Sequence, residues 1–213
     1  MKNLFFLIGL CLLTTTAFAQ PESNQIYLSG GIGLNSSSGE TKQGNSVTQS
    51  PSNLSFNFSP AVGYTITDKW LAGLRFSRAI SNSFTDTDNG SYSSTFGWGV
   101  FGRYNMAINE KLYFFPELQL GLTNRTNEVT TAGATEATFE ISSFNVGVAP
   151  GFAYFPSEHW SLEFSVGFLG FSETTATNLT LDPQAETTSS AFGFNINGLG
   201  ANLSIAYYLP LRS

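Results

Sequence analysis

Four charged residues carry the most pointed chemistry in this chain: Arg75, Arg103, Glu117 and Glu163. Each sits in a run where apolar side chains take every second position, and each falls on the other, polar parity. A period of two sends alternate side chains to opposite faces of a strand, so these charges belong to inward-facing positions. If Ile108 pairs with Leu112 across the turn Asn109-Glu110-Lys111, Arg103 lies directly opposite Glu117. Two cations and two anions at similar depth, with Asn105 and Gln119 beside them, predict a neutral hydrogen-bonded network inside a closed interior. Charge in such a place must be paired, because an uncompensated buried ion is strongly destabilising.

Other residue types raise chemistry that their placement argues against. His159, Ser161 and Glu163 are the components of a hydrolytic triad, but nucleophile, base and orienter must meet within hydrogen-bond reach. Ser161 and Glu163 share the inward parity, while His159 opens a strand beside Trp160 and reads as an interfacial His-Trp pair. Gly97-Trp98-Gly99-Val100-Phe101-Gly102 matches G-x-G-x-x-G, yet a dinucleotide site needs these glycines between a strand and a helix. Inside an alternating run, Gly97 and Gly99 instead make room on the inward face. A single histidine with no clustered cysteine or carboxylate gives no metal site, and no cofactor is expected.

The elements that must position the four charges are strands. The organising stretch runs from Phe96 to Leu122, a hairpin with Trp98, Val100, Leu118 and Leu120 on one face and Gly99, Arg103, Glu117 and Gln119 on the other. Each arm matches the ~9–11 residues that a tilted strand needs to cross a bilayer. Alternation also marks strands over Ile26 to Leu34, Leu54 to Ile66, from Trp70 through Phe76, over Phe144 to Tyr154, over Trp160 to Phe168, and from Phe192 to Leu209. The opposite parity of Phe139 and Ile141 predicts a bulge near Ser142-Ser143, and the last strand slips phase at Asn197-Gly198. Pro60, Pro116 and Pro150 mark distortions of the ladder. Polar loops without periodicity fill Ser36 to Asn53, Ser81 to Ser93, Asn124 to Ala137 and Ser172 to Thr188, and they alternate with short turns. Trp70, Tyr104, Trp160 and Tyr207, with Tyr64, Tyr113, Tyr154 and Tyr208, gather near the short turns. Trp98, with Phe96, Phe168 and Phe192, lies toward the loops. Two such girdles are expected where strand ends meet lipid headgroups.

Composition agrees. Charged residues make up 11% of the chain and aromatics 15%, where a soluble domain carries about 25% charged residues. The chain opens with Met1-Lys2-Asn3, an apolar run from Leu4 to Leu13, and Ala17-Phe18-Ala19, the pattern of a secretory signal peptide cut after Ala19. Cys11 falls in that segment, so residues 20–213 carry no thiol chemistry. A formal charge of −6 argues against nucleic acid as a partner. Eight strands with long and short connections in alternation describe an all-β, eight-stranded antiparallel up-and-down transmembrane barrel.

The stretches GVFGRYNMAINEKLYFFPELQLGLT and GANLSIAYYL, with a final strand close to the C-terminus, resemble the small outer-membrane β-barrels of Gram-negative bacteria, the OmpX-like and OmpA-like barrels. Pro210-Leu211-Arg212-Ser213 departs from the aromatic ending of many such proteins. The resemblance implies residence in the outer membrane. It also implies contact with its lipid or lipopolysaccharide, insertion by the barrel-assembly machinery, and an extracellular ligand or surface partner met through the loops. A non-enzymatic envelope or surface role follows. A narrow channel, or a lateral gate for small apolar molecules with its exit near Ser142 and Asn197, is the alternative. A lipid A-modifying hydrolase built on His159, Ser161 and Glu163 is more remote, because that cluster lies at the short-turn end and faces inward.

Overall fold

The computed structural model describes residues 22–43, 46–84, 89–165, 168–195 and 202–211. The expected signal segment and the expected phase slip at Asn197-Gly198 lie outside them. No helix occurs among the described residues. Eleven strands do: β1 (Gln25–Gln43), β2 (Ser46–Thr65), β3 (Trp70–Phe84), β4 (Gly90–Tyr104), β5 (Met106–Ala107), β6 (Leu112–Thr131), β7 (Ala134–Tyr154), β8 (Trp160–Ser165), β9 (Phe168–Asn178), β10 (Ala185–Asn195) and β11 (Asn202–Pro210).

Every pairing is antiparallel, and the sheet returns to its start. The cycle β1-β2-β3-β4-β6-β7-β8-β11 closes through Gln25–Pro210 to Gly30–Ile205. The short strand β5 continues the β4 wall, β9 continues β8 along β7, and β10 pairs β9. Closure leaves no free edge to satisfy at this end, which a sheet in lipid requires.

Alternation decides which side each residue takes. Large apolar side chains point outward: Trp98 is 49% exposed, Leu118 56% and Leu162 44%. The buried set is inside and mixed, with Tyr27, Leu71, Phe101, Phe115, Phe155 and Tyr208 beside Arg103, Glu117, Ser161 and Glu163. An apolar exterior around a polar core is the reverse of a soluble protein and the pattern of a membrane barrel.

Several local expectations are corrected. The four polar segments read as loops are largely strand. β1 runs on to Gln43 and β2 begins at Ser46, β3 and β4 reach Phe84 and Gly90, β6 and β7 reach Thr131 and Ala134, and β9 and β10 reach Asn178 and Ala185. Above the apolar band both faces meet polar surroundings, so the period of two vanishes from the sequence while the backbone ladder persists. The β6–β7 hairpin closes on Ala132 (φ 52°) and Gly133 (φ 79°), both left-handed, as a two-residue turn between twisted strands demands.

The expected bulge near Ser142-Ser143 is absent. Asn124–Ser142 and Thr123–Ser143 pair in unbroken register, and the shift lies between Asn127 and Glu128, where Thr138 is the extra residue. Phe139 and Ile141 therefore share the parity of inward-facing Ser143, opposite Asn127 and Arg125. A second shift separates Gly151–Ser165 from Val148–Leu169, so the outward parity passes from even residues such as Phe164 to Leu169. Pro150 sits at this shift and pairs Pro116, while Pro60 lies where the β2–β3 pairing is interrupted. A residue without an N–H is tolerated where the ladder is already broken.

Candidate functional site

The ionic network lies in the lumen of the closed ring. β4 presents Arg103 and β6 presents Glu117 on the same rung, and the turn Ile108 to Leu112, with Ile108 N donating to Leu112 O at 2.8 Å, sets that register. β3 brings Arg75 and β8 brings Glu163 to the same level. Arg103 Nε and Nη2 donate to Glu117 Oε2 at 3.0 and 2.7 Å, a forked contact with one carboxylate oxygen. Its Nη1 donates to Glu163 Oε1 at 2.8 Å. Arg75 Nη2 meets the other oxygen of Glu117 at 2.9 Å. The four residues singled out by parity are thus joined in one chain of contacts, Arg75–Glu117–Arg103–Glu163.

Neutral donors complete it. Gln119 Nε2 donates to Glu117 Oε1 at 2.7 Å, Tyr27 Oη donates to Glu163 Oε2 at 2.7 Å, and Ser161 Oγ donates to Glu163 Oε1 at 3.1 Å. Tyr208 Oη reaches the same oxygen at 3.4 Å. All four carboxylate oxygens therefore accept at least one hydrogen bond or ion pair, the condition under which buried charge is tolerable. The cations also lie on aromatic faces: Arg103 Cζ is 3.8 Å from the Phe115 ring centre and Arg75 Cζ is 4.9 Å from that of Phe101.

Below the network the lumen is filled by aromatic rings. Tyr113 packs edge-on against Phe155, Phe155 packs on Tyr208, and Tyr208 packs on Tyr27, each pair with centres 5.3 Å apart. Tyr27 then meets Phe101 at 6.0 Å. On the other side of the network lies a cavity of about 550 Å³, walled by Ser29, Asn57, Ser59, Ser165 and Ser204 with the network as its floor.

Sequence reasoning missed Tyr27 and Tyr208. Their position near the short turns puts Tyr208 and Tyr113 among the interfacial aromatics, but Tyr208 is fully buried and Tyr113 is 5% exposed, both inside. Tyr27 and Tyr208 form one rung of the β1–β11 closure. Inward parity on the first and last strands was the signal that would have found them. We expect Tyr27→Phe to cost about 2 kcal/mol, the range for a hydrogen bond to a charged group, as measured by urea unfolding in lipid vesicles. A loss within about 0.3 kcal/mol would mean that this hydroxyl contributes nothing to holding Glu163.

The expected girdle residues Trp70, Tyr104, Trp160 and Tyr207 stand on the outer wall by the short turns. Trp70 tilts against Tyr104 at 4.9 Å and Trp160 against Tyr207 at 4.8 Å. Trp98 faces outward farther from the turns, opposite Phe76 and Leu122. The hydrolytic constellation is not assembled: Ser161 donates to Glu163, and His159 Nδ1 is buried with no hydrogen-bond partner. Gly97 and Gly99 lie within β4, where a Cβ on Gly97 would meet Thr123 Cγ2 at 2.8 Å and one on Gly99 would meet Gly121 Cα at 3.0 Å. Among the described residues no group of histidine, cysteine and carboxylates has metal-binding geometry.

Among solved structures, the chain is similar to the outer membrane protein OprG of Pseudomonas aeruginosa, with a TM-score of 0.53 and 11% identity over 92% of this chain and 100% of that one. It is also similar to the N-terminal β-barrel domain of Pseudomonas aeruginosa OprF (0.42, 13%, 88% and 98%) and to Ail of Yersinia pestis (0.39, 14%, 88% and 99%). At such identity the likeness to OprG speaks to the fold alone. No curated protein matches the sequence. The closed antiparallel sheet, its apolar exterior and its ionic lumen all accord with the match of residues 5–196 to the outer membrane protein β-barrel domain, and the chain belongs to that family of outer-membrane proteins.

Proposed function

We propose that this protein is a non-enzymatic barrel whose lumen is held shut, and that it serves the cell envelope through its wall and its long hairpins. The observation that carries this reading is the saturated network on its aromatic plug. All four carboxylate oxygens of Glu117 and Glu163 are engaged and aromatic rings pack beneath them, which supports a lumen closed at that level. A packed interior is also the ordinary state of small barrels. The long hairpins β1–β2, β3–β4, β6–β7 and β9–β10 are the parts available to an extracellular ligand or surface partner.

Planar-bilayer recording tests the closed lumen. Folded protein is expected to give no steps above background, and a Glu117→Ala, Arg103→Ala double variant is expected to give small ones. Stable conductance from the unaltered protein would overturn the reading.

One observation favours a lateral gate for small apolar molecules. Among the described residues the β1–β11 ladder ends at Gly30–Ile205, although β1 continues along β2. Just above, Ile32, Leu34 and Leu203 are 74%, 73% and 70% exposed, well beyond the 40–56% common on the rest of the wall, and Ile32 and Leu203 also line the cavity. A disulfide between cysteines at 32 and 203 would abolish uptake of an apolar fluorescent probe if this seam is its route. Unchanged uptake would exclude that route.

A further inference from the structure

The outer wall carries a cation with no ion-pair partner among the described residues. On β3 the outward residues are Ala72, Leu74, Phe76 and Arg78, and Arg78 is exposed. Its rung partners are Phe58 on β2 and Phe96 on β4, and Phe76 and Ile80 flank it along its own strand. Phe58, Phe76, Phe96 and the diagonal neighbour Trp98 are each 41–49% exposed on the same surface. The Arg78 guanidinium makes no ion pair or hydrogen bond among the described residues, whereas Arg75 and Arg103 on the inner face are both paired. Of the outward-parity carboxylates, Glu128 on β6 stands four residues beyond Asn124 of the Arg78 rung with β4 between it and β3, and Glu140 and Glu173 are on β7 and β9, with β4 and β6 between them and β3.

Its height limits what can answer that charge. Arg78 lies eight residues beyond Trp70, the girdle residue at the short-turn end. At ~3.3 Å per residue and a tilt near 40°, that is roughly 20 Å, close to the far edge of an apolar band about 25 Å tall. One rung farther, Ile80 faces Ser94, and the rung of Arg78 itself passes from Phe96 to Asn124 and Ser142, so the wall turns polar here. An arginine on the lipid face is strongly destabilising at the midplane and costs little at the interface, where its stem lies along apolar surface and its head reaches outward. The anions present at that level of a membrane are the phosphates of lipid headgroups. Guanidinium is suited to them because its planar N–H groups engage two phosphate oxygens at once.

We propose that Arg78, seated between Phe58 and Phe96, is a docking point for the phosphate of an outer-leaflet lipid, with the phenyl rings against its acyl chains. The proposal rests on the membrane placement argued above, with the long hairpins toward the outer leaflet. It is independent of whether the lumen is closed.

The test uses the full folded barrel in a neutral detergent, with the arginine Nε–H resonances assigned by substitution. A short-chain phosphatidic acid is titrated against a diacylglycerol of the same chains and against inorganic phosphate, and lipid retention is read by native mass spectrometry. Phosphatidic acid is expected to shift the Arg78 resonance saturably and to be retained at least about fivefold more by the native protein than by Arg78→Gln, with Arg78→Lys between them. Diacylglycerol and inorganic phosphate at equal concentration are expected to leave the resonance in place. The proposal is overturned if Arg78→Gln retains phosphatidic acid as well as the native protein does. It fails equally if diacylglycerol is retained to the same extent, or if inorganic phosphate alone reproduces the shift. Bilayer recording on the same samples keeps a failure here distinct from a failure of the closed-lumen reading.

Discussion

Arg103→Met is expected to lower the unfolding free energy of the barrel by about 3–5 kcal/mol, the cost of breaking a buried ion pair from one side. Arg103 is 2% exposed and donates to Glu117, Glu163 and Tyr27. Methionine keeps much of the volume over the Phe115 ring, so the loss reports charge and hydrogen bonding more than packing. After the substitution Glu117 retains Arg75, but Glu163 has no cation among its partners. Arg103→Lys is expected to lose about half as much, because a point charge cannot span Glu117 and Glu163 as the fork does. Urea titration of tryptophan fluorescence in lipid vesicles measures both. Equal stability of Arg103→Met and the native protein would mean that the network is incidental to the fold.

Gly73→Val should cost about 3 kcal/mol, at the upper end of overpacking, or prevent closure of the sheet. Gly73 is opposite Gly63 on β2 and Phe101 on β4, and the Phe101 ring lies over it. A Cβ there would meet the Val62 carbonyl oxygen, Gly63 Cα at 2.7 Å and the Phe101 ring at 2.8 Å. Two of the three are backbone and cannot rotate away. Displacing Phe101 would also remove the face on which Arg75 rests. Gly102→Ala is the control: its Cβ meets nothing within 4 Å, so a change of at most about 0.5 kcal/mol is expected. Heat-modifiable electrophoretic mobility reports closure in each case. Similar folding yields for Gly73→Val and Gly102→Ala would contradict this reading of the inner packing.

The parts of this protein that could be read from its sequence are those fixed by local pattern. Parity placed Arg75, Arg103, Glu117 and Glu163 on the inner face, and counting outward from the tight turn at Asn109 paired Arg103 with Glu117. What stayed hidden depends on register between segments with no short turn to set it. Tyr27 and Tyr208 meet only because the first and last strands close the ring, and no turn links them. The extra residue at Thr138 and the shift between Gly151 and Val148 were missed for a related reason. A bulge reverses parity without changing composition: around Thr138 both faces are polar and the reversal leaves no trace, and from Phe164 to Leu169 apolar residues stand on both parities. The long hairpins read as loops on the same ground, since alternation records a difference between two environments and ends where the difference ends.

A double-mutant cycle over Arg103 and Glu163 probes the network most directly, because Arg103 is the cation paired with Glu163. Arg103→Met strands a carboxylate, Glu163→Gln removes half of what Arg103 holds, and the double variant eliminates both charges. A coupling energy of about 2 kcal/mol or more is predicted, within the range for residues in one buried network. A coupling below about 0.5 kcal/mol would show that the two side chains lie close together without depending on each other.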